Sequence, residues 1–165
     1  MSAKQIIQSL AELIRVHQQL NEAAIKKMDF IKKGDMSALE TLVREESKLV
    51  SKLRITELIR EKQVLTFFNE QGKVTEDVTI GAMLPLLNED EQSTLAKLQK
   101  ALVQEVTILK RQNERNQSLV EESLRFVNLS LDLLMPSAED ISYTRPHERE
   151  DQATDYKHST FDSRA

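Results

Sequence analysis

Residues 88–135 read NEDEQSTLAKLQKALVQEVTILKRQNERNQSLVEESLRFVNLSLDLLM, without a glycine or a proline. They lie inside the fifty breaker-free residues that separate Pro85 from Pro136. Proline in a helix interior costs roughly 3 kcal/mol and glycine about 1. A stretch this long without either, rich in Leu, Glu, Gln, Lys and Ser, is expected to run as one helix. Asn88 with Glu91 reads as a capping arrangement at its start. Glu89, Asp90 and Glu91 suit the positive end of a helix dipole. The expected stripe is Leu98, Leu102, Val106, Leu109, Asn113, Asn116, Val120, Leu124, Val127, Leu131 and Leu134, with Pro136 as the stop.

Working outward, the other breakers divide the rest of the chain. Residues 2–33 form a first helix, whose seam of Ile6, Leu10, Leu13, His17, Leu20, Ala24 and Ile31 steps by about three and four. Gly34 supplies a left-handed cap position. Asp35 or Ser37 caps a second helix, with Ser37 and Glu40 read as a capping box. The short gap turns that helix back on the first. Its stripe is Leu39, Leu42, Val43, Glu46, Leu49, Val50, Leu53, Ile59, Val64 and Phe67, fading near Asn69 and Gly72. In residues 74–87, Thr75 is the expected cap of one short helix, broken by Gly81 and Pro85. Residues 137–165 are polar and charged, with too little apolar surface to offset the entropy of ordering. The fold class is therefore all-α. It is an elongated antiparallel helical bundle or coiled coil of three long helices, with a short connector helix and a polar C-terminal tail. Residues 1–136 are the helical domain and 137–165 the tail, expected to be flexible without a partner.

Composition narrows the chemistry. Of 165 residues, 39% are hydrophobic and 4% aromatic, which fits thin helix–helix seams better than a thick core. The net charge of −4, with both signs interleaved, offers no basic face for nucleic acid or anionic lipid. There is no cysteine for disulfides or thiolate metal sites. The N-terminal segment has no signal-peptide core, and no apolar run is long enough to span a bilayer. A cytoplasmic protein is expected, without membrane insertion or a small-molecule substrate. His17 reads as a packed seam histidine, and His147 and His158 fall in the tail. With no ligand motif, triad or phosphate loop, neither cofactor, metal nor enzymatic activity is expected. Asn113 and Asn116 share a helix face within an apolar stripe, and Glu46 interrupts the stripe of the second helix. Polar breaks of this kind set register in helical seams. A buried carboxylate needs a partner, so Glu46 is expected to meet Asn113, Asn116 or a lysine of a neighbouring helix.

Two segments resemble a known family. Glu46-Ser-Lys48-Leu49-Val50-x-x-Leu53, followed by Glu57 and Arg60, is similar to the second-helix signature of the FlgN-type flagellar export chaperones. Leu109-x-x-x-Asn113-x-x-Asn116-x-x-Leu119-Val120-x-x-x-Leu124 resembles their long-helix signature. The order of elements also agrees, over residues 3–136 and more loosely at Tyr143. Residues 71–87 match nothing in that pattern. The resemblance implies a cytoplasmic chaperone that binds the amphipathic C-terminal segments of hook–filament junction proteins before export. It implies delivery to the export gate protein FlhA, with Tyr143 as the docking residue and the last turns of the long helix as the functional stretch.

Helix lengths point the same way without the family. The second helix covers roughly 50 Å and the third roughly 70 Å at 1.5 Å per residue. The third therefore overshoots by about 20 Å, some thirteen residues. The overshoot, residues 122–135, holds Leu124, Phe126, Val127, Leu129, Leu131, Leu133, Leu134 and Met135. Leu119, Val120, Leu124, Val127, Leu131 and Leu134 are the expected floor of a client groove, since exposed apolar stripes mark interaction sites. The competing expectation is a structural coiled-coil protein that forms a homodimer through the end of its long helix.

Overall fold

The computed structural model describes residues 3–72 and 79–135. The element order is α1 (Ala3–Lys33), α2 (Met36–Glu70), α3 (Ile80–Met83), a 3₁₀ turn (Leu84–Leu86) and α4 (Glu89–Leu134). There is no strand among the described residues. The chain divides into two compact units, Met1–Val127 and Asn128–Ala165, with the boundary inside α4. The expectations placed on Thr75, on Tyr143 and on the tail lie outside the described residues.

Local chemistry sets the ends of the helices. Lys32 and Lys33 occupy the last turn of α1, where positive charge suits the dipole. Gly34 follows at φ +68°, a conformation that costs an L-residue. The Gly34 N–H donates to Ile31 O at 3.2 Å and the Asp35 N–H to Phe30 O at 3.1 Å. That pair of bonds is a Schellman motif. The Asp35 carboxylate then accepts from the Ala38 N–H at 3.1 Å and caps α2. The expected Ser37–Glu40 capping box is not formed. Asp35 wins the cap, Ser37 falls inside the helix, and Glu40 pairs with Arg44. The connector also differs from expectation. Thr79 caps α3 by accepting from the Ala82 N–H at 3.2 Å, and Gly81 lies within the helix instead of breaking it. Asn88 Oδ1 accepts from the Glu91 N–H at 2.8 Å, with Glu89, Asp90 and Glu91 in the first turn of α4.

In the first unit, α1 is the central helix. It buries Ile6, Leu10, Leu13, His17, Leu20, Ala24 and Ile31, and adds Ser9, Val16, Asn21 and Ala23 on a second side. Two helices can therefore pack on it at once. α2 runs antiparallel to α1, tied by the Lys52–Glu12 and Lys27–Glu46 ion pairs. α4 runs parallel to α1, since Asn21 meets Glu105 and Ala24 meets Asn116. The apolar core sits at the connector end. There Ile6, Leu10 and Leu13 pack with Val64, Phe67, Phe68, Ile80, Met83 and Leu95. Phe67 and Phe68 meet edge to face, ring centroids 6.0 Å apart.

The inward registers of α2 and α4 correct two sequence expectations. On α2 the inward positions are Leu39, Leu42, Glu46, Leu49, Leu53, Thr56, Arg60, Val64 and Phe67, whereas Val43, Val50 and Ile59 are exposed. On α4 they are Leu95, Leu98, Leu102, Glu105, Leu109, Gln112, Asn116 and Leu119, whereas Val106 is exposed. Glu105 turns inward because Asn21 of α1 meets its carboxylate at 2.7 Å.

Candidate functional site

Along α4, the transition from packed to open surface lies around Asn116. Asn116 is buried, and its amide donates to Ala24 O of α1 at 2.8 Å. Asn113, one turn earlier, is exposed. Glu46 of α2 is half-buried and pairs with Lys27 of α1. Both asparagines, Glu46 and Lys27 line one cleft of about 340 Å³, closed by Ile31, Gln117, Val120 and Glu121. Three helices thus converge on a pocket lined by amides, an ion pair and the apolar side chains of Ile31 and Val120. The lysine, on α1, was legible only as one of several candidate partners.

Beyond the cleft the surface changes character. Leu119 is half-buried, Val120 is exposed, and Leu124 and Val127 are 57% and 50% exposed. At 3.6 residues per turn these four fall within about 140° of the α4 surface, on one side of it. In the second unit, Leu131 and Leu134 are likewise exposed, Leu134 at 79%. A large apolar side chain left this open forgoes the contacts that buried side chains of the first unit make. Such side chains mark interaction sites when they are contiguous.

Further polar groups are buried in the first unit and have no counterpart in the sequence reading. Asn21 Nδ2 donates to Glu105 Oε2 at 2.7 Å and to the Glu105 backbone carbonyl at 3.1 Å. Asn21 Oδ1, Gln63 Oε1 and Gln112 Oε1 are buried without a protein partner. Nearby, Arg60 binds Glu57 through two nitrogens, at 3.0 and 2.5 Å. That bond holds the Glu57 carboxyl below the usual carboxylate range and raises Arg60. On α1, Glu12 is lowered by its hydrogen bond to Lys52. His17 Nδ1 lies 2.9 Å from Leu13 O of its own helix. The charged groups here are paired, Glu57 with Arg60 and Glu12 with Lys52, and no group of three or more His, Cys, Asp or Glu among the described residues is placed to hold a metal ion. Nor is any helix among them long and apolar enough to cross a membrane.

The chain is 30% identical to the "Uncharacterized protein YvyG" of Bacillus subtilis (strain 168), over all 165 residues and the full length of both chains. No solved structure matches it. A family model described as "FlgN protein" matches residues 1–150, which include every helix among the described residues and the cleft between α1, α2 and α4. The chain belongs to the FlgN family of flagellar chaperones.

Proposed function

We propose that the protein is a cytoplasmic chaperone of flagellar type III export. Its clients are the C-terminal amphipathic segments of hook–filament junction proteins. It keeps them from assembling early and delivers them to the export gate protein FlhA. The client lies against α4, with Leu119, Val120, Leu124 and Val127 as the floor. Leu131 and Leu134 of the second unit offer apolar side chains of their own. Glu46 and Asn116 set the register of the helices beneath, with Asn113 at the mouth of the cleft. Residues 1–136 act as the helical domain, residues 137–165 as the tail that reaches the gate, and Tyr143 as its docking residue. The chemistry is binding alone.

The observation that supports this reading is the row of exposed apolar side chains on α4 past Asn116, in a chain of this family. An amphipathic helix laid on that row buries its own apolar face, with anchors at i, i+3 and i+4. The test is titration calorimetry with a peptide from the C-terminus of a junction protein. Replacing Leu124 and Val127 by Asp abolishes binding, because a carboxylate in an apolar contact is heavily penalised. The melting temperature of that variant stays close to the parent's, since both side chains face outward. Retained binding would refute the site. Lost binding with a collapsed melt would assign the face to the fold.

A further inference from the structure

α4 is held unevenly to the rest of the first unit. Of its 46 residues only Leu95 and Asn116 are buried. Leu95 belongs to the connector-end core, and Leu98 and Leu102 pack against that core. Past Leu102 the helix stands off. The α1 and α2 backbones approach closely along the pair, whereas α4 does not come as near to either. Polar side chains span the gap. Asn21 of α1 donates to the Glu105 carboxylate at 2.7 Å and to the Glu105 main-chain carbonyl at 3.1 Å. Gln18 donates to the same carboxylate at 3.5 Å, and Asn116 donates to Ala24 O at 2.8 Å. Leu109 and Leu119 are only half-buried.

This seam also holds two acceptors that the closed arrangement leaves unused. Asn21 Oδ1 and Gln112 Oε1 are buried and have no protein partner. Gln112 lines a cavity of about 60 Å³ between α1 and α4, with Ala24, Ile25, Met28, Arg115 and Asn116. A buried acceptor without a partner carries its full desolvation penalty, whereas a made hydrogen bond returns only a small excess over its bond to water. Parting α4 from α1 exchanges the seam's hydrogen bonds for bonds to water and hydrates both acceptors. The α1–α2 seam is closed differently. Val16 and Ala23, two turns apart, lie on the side of α1 that borders Leu42 of α2, and all three are buried. Two ion pairs, Lys27 with Glu46 and Lys52 with Glu12, tie the same helices.

We propose that α4 from Val103 to Val127 is an arm that swings away from α1. It pivots on the connector-end core, where Leu95, Leu98 and Leu102 stay docked, while α1 and α2 remain paired. The swing opens the cleft beside Lys27 and Glu46 from the α4 side. It is a property of the fold and does not depend on what the outer face of the arm binds.

Because the chain has no cysteine, single thiols in the folded full chain report the motion through their rate of reaction with a disulfide reagent such as DTNB. Ala24→Cys places a thiol under α4, beside the cavity, where the native side chain is 1% exposed. Val16→Cys places one on the α2 side, where the native side chain is 0% exposed. Glu22→Cys, on exposed α1 surface, is the reference for an open thiol. The thiol of Ala24→Cys is expected to react more slowly than the reference. It should react at least tenfold faster than that of Val16→Cys and with a weak dependence on urea, as a sub-global opening does. In the Ala24→Cys chain, adding Gln112→Met removes the unpartnered acceptor and slows the reaction about tenfold. Adding Asn116→Ala removes a bond that closes the arm and speeds the reaction severalfold. Circular dichroism confirms that each variant keeps its helix content. If Ala24→Cys is as slow and as urea-dependent as Val16→Cys, α4 parts from α1 only on global unfolding and the proposal is overturned. A rate equal to that of Glu22→Cys means the seam is open without any swing and overturns it too. So does a rate that Gln112→Met leaves unchanged.

Discussion

Asn113 and Asn116 are the same residue type three positions apart, yet the fold treats them differently. Asn116 is 5% exposed and donates to a main-chain carbonyl of α1, whereas Asn113 faces solvent at the mouth of the cleft. A net intramolecular hydrogen bond contributes roughly 0.5–1.5 kcal/mol, and a buried truncation adds the loss of packing. Asn116→Ala is therefore expected to lower stability by about 1–2 kcal/mol. Asn113→Ala should stay within about 0.5 kcal/mol of the parent, as surface changes generally do. Urea unfolding of both variants measures the contrast; equal losses would mean that the burial of Asn116 is not what matters. The sequence marked both positions as polar breaks in a stripe. It could not separate them, because the acceptor, Ala24 O, is a backbone atom of a helix 92 residues away.

Helix ends and helix faces differ in how far local sequence decides them. The Schellman turn at Gly34 and the Asn88 cap depend on atoms within five residues, and both were legible. The Asp35 cap was legible as one of two choices; it displaced the Ser37 alternative because its carboxylate already reaches the Ala38 N–H. Facing was harder. α2 offers adjacent pairs, Leu42 with Val43 and Leu49 with Val50, and a hydrophobicity pattern admits both members. Packing against α1 selects Leu42 and Leu49 and leaves the valines outside. The same holds for Glu105 of α4, which periodicity alone places outward. The exposed α4 residues past Asn116 were legible because breaker-free length is a property of one segment. Ion pairs between elements carry a pH signature of their own. Glu12 of α1 is bonded to Lys52 of α2, and its carboxyl is held below the usual range by that hydrogen bond. Within α2 itself, Glu57 is held down by Arg60. A carboxylate lowered in the folded state contributes stability that is present above its unfolded value, about 4.3 for Glu. That contribution is lost as pH falls through the lower folded value. Stability is thus expected to decline below about pH 4.3, and Glu12→Gln should flatten the decline while lowering the plateau near neutrality. The gain at neutral pH is small, since both groups are partly exposed. Denaturant melts across pH 3–7, on the order of one point per half unit, check it; a Glu12→Gln profile that parallels the parent's would show that the α1–α2 pair does not contribute.

At the scale of the whole first unit, the large apolar cluster is concentrated at the connector end, whereas the half nearer the α1–α2 turn mixes buried Leu20, Ala24, Ile31 and Leu42 with polar contacts. The connector end holds Ile6, Leu10, Val64, Phe67, Met83 and Leu95, with Ile6, Leu10, Val64, Met83 and Leu95 at 0% exposure. Toward the α1–α2 turn, the contacts pass through Asn21 with Glu105, Lys27 with Glu46, and Asn116 with the α1 backbone. Burying apolar surface contributes roughly 25 cal/mol per Å², whereas a polar contact returns little beyond the hydration it gives up. Opening should therefore need the full unfolding free energy at the connector end and much less near the cleft. Native-state hydrogen exchange resolves this by site. Amides around Leu10, Val64 and Leu95 are expected to exchange only through global unfolding, with a strong denaturant dependence. Those around Lys27, Glu46 and Asn116 should exchange through smaller openings of weak denaturant dependence. Met83→Ala, which removes a fully buried side chain, should cost about 2–5 kcal/mol globally. It should lower protection at Leu10 and Val64 while leaving the sub-global openings near the cleft almost unchanged. Uniform protection along α1 would contradict the layering. The gradient also bears on client capture: the α4 residues proposed to bind begin where the packed core gives out, so a client helix can settle there without breaking apolar contacts the chain already has.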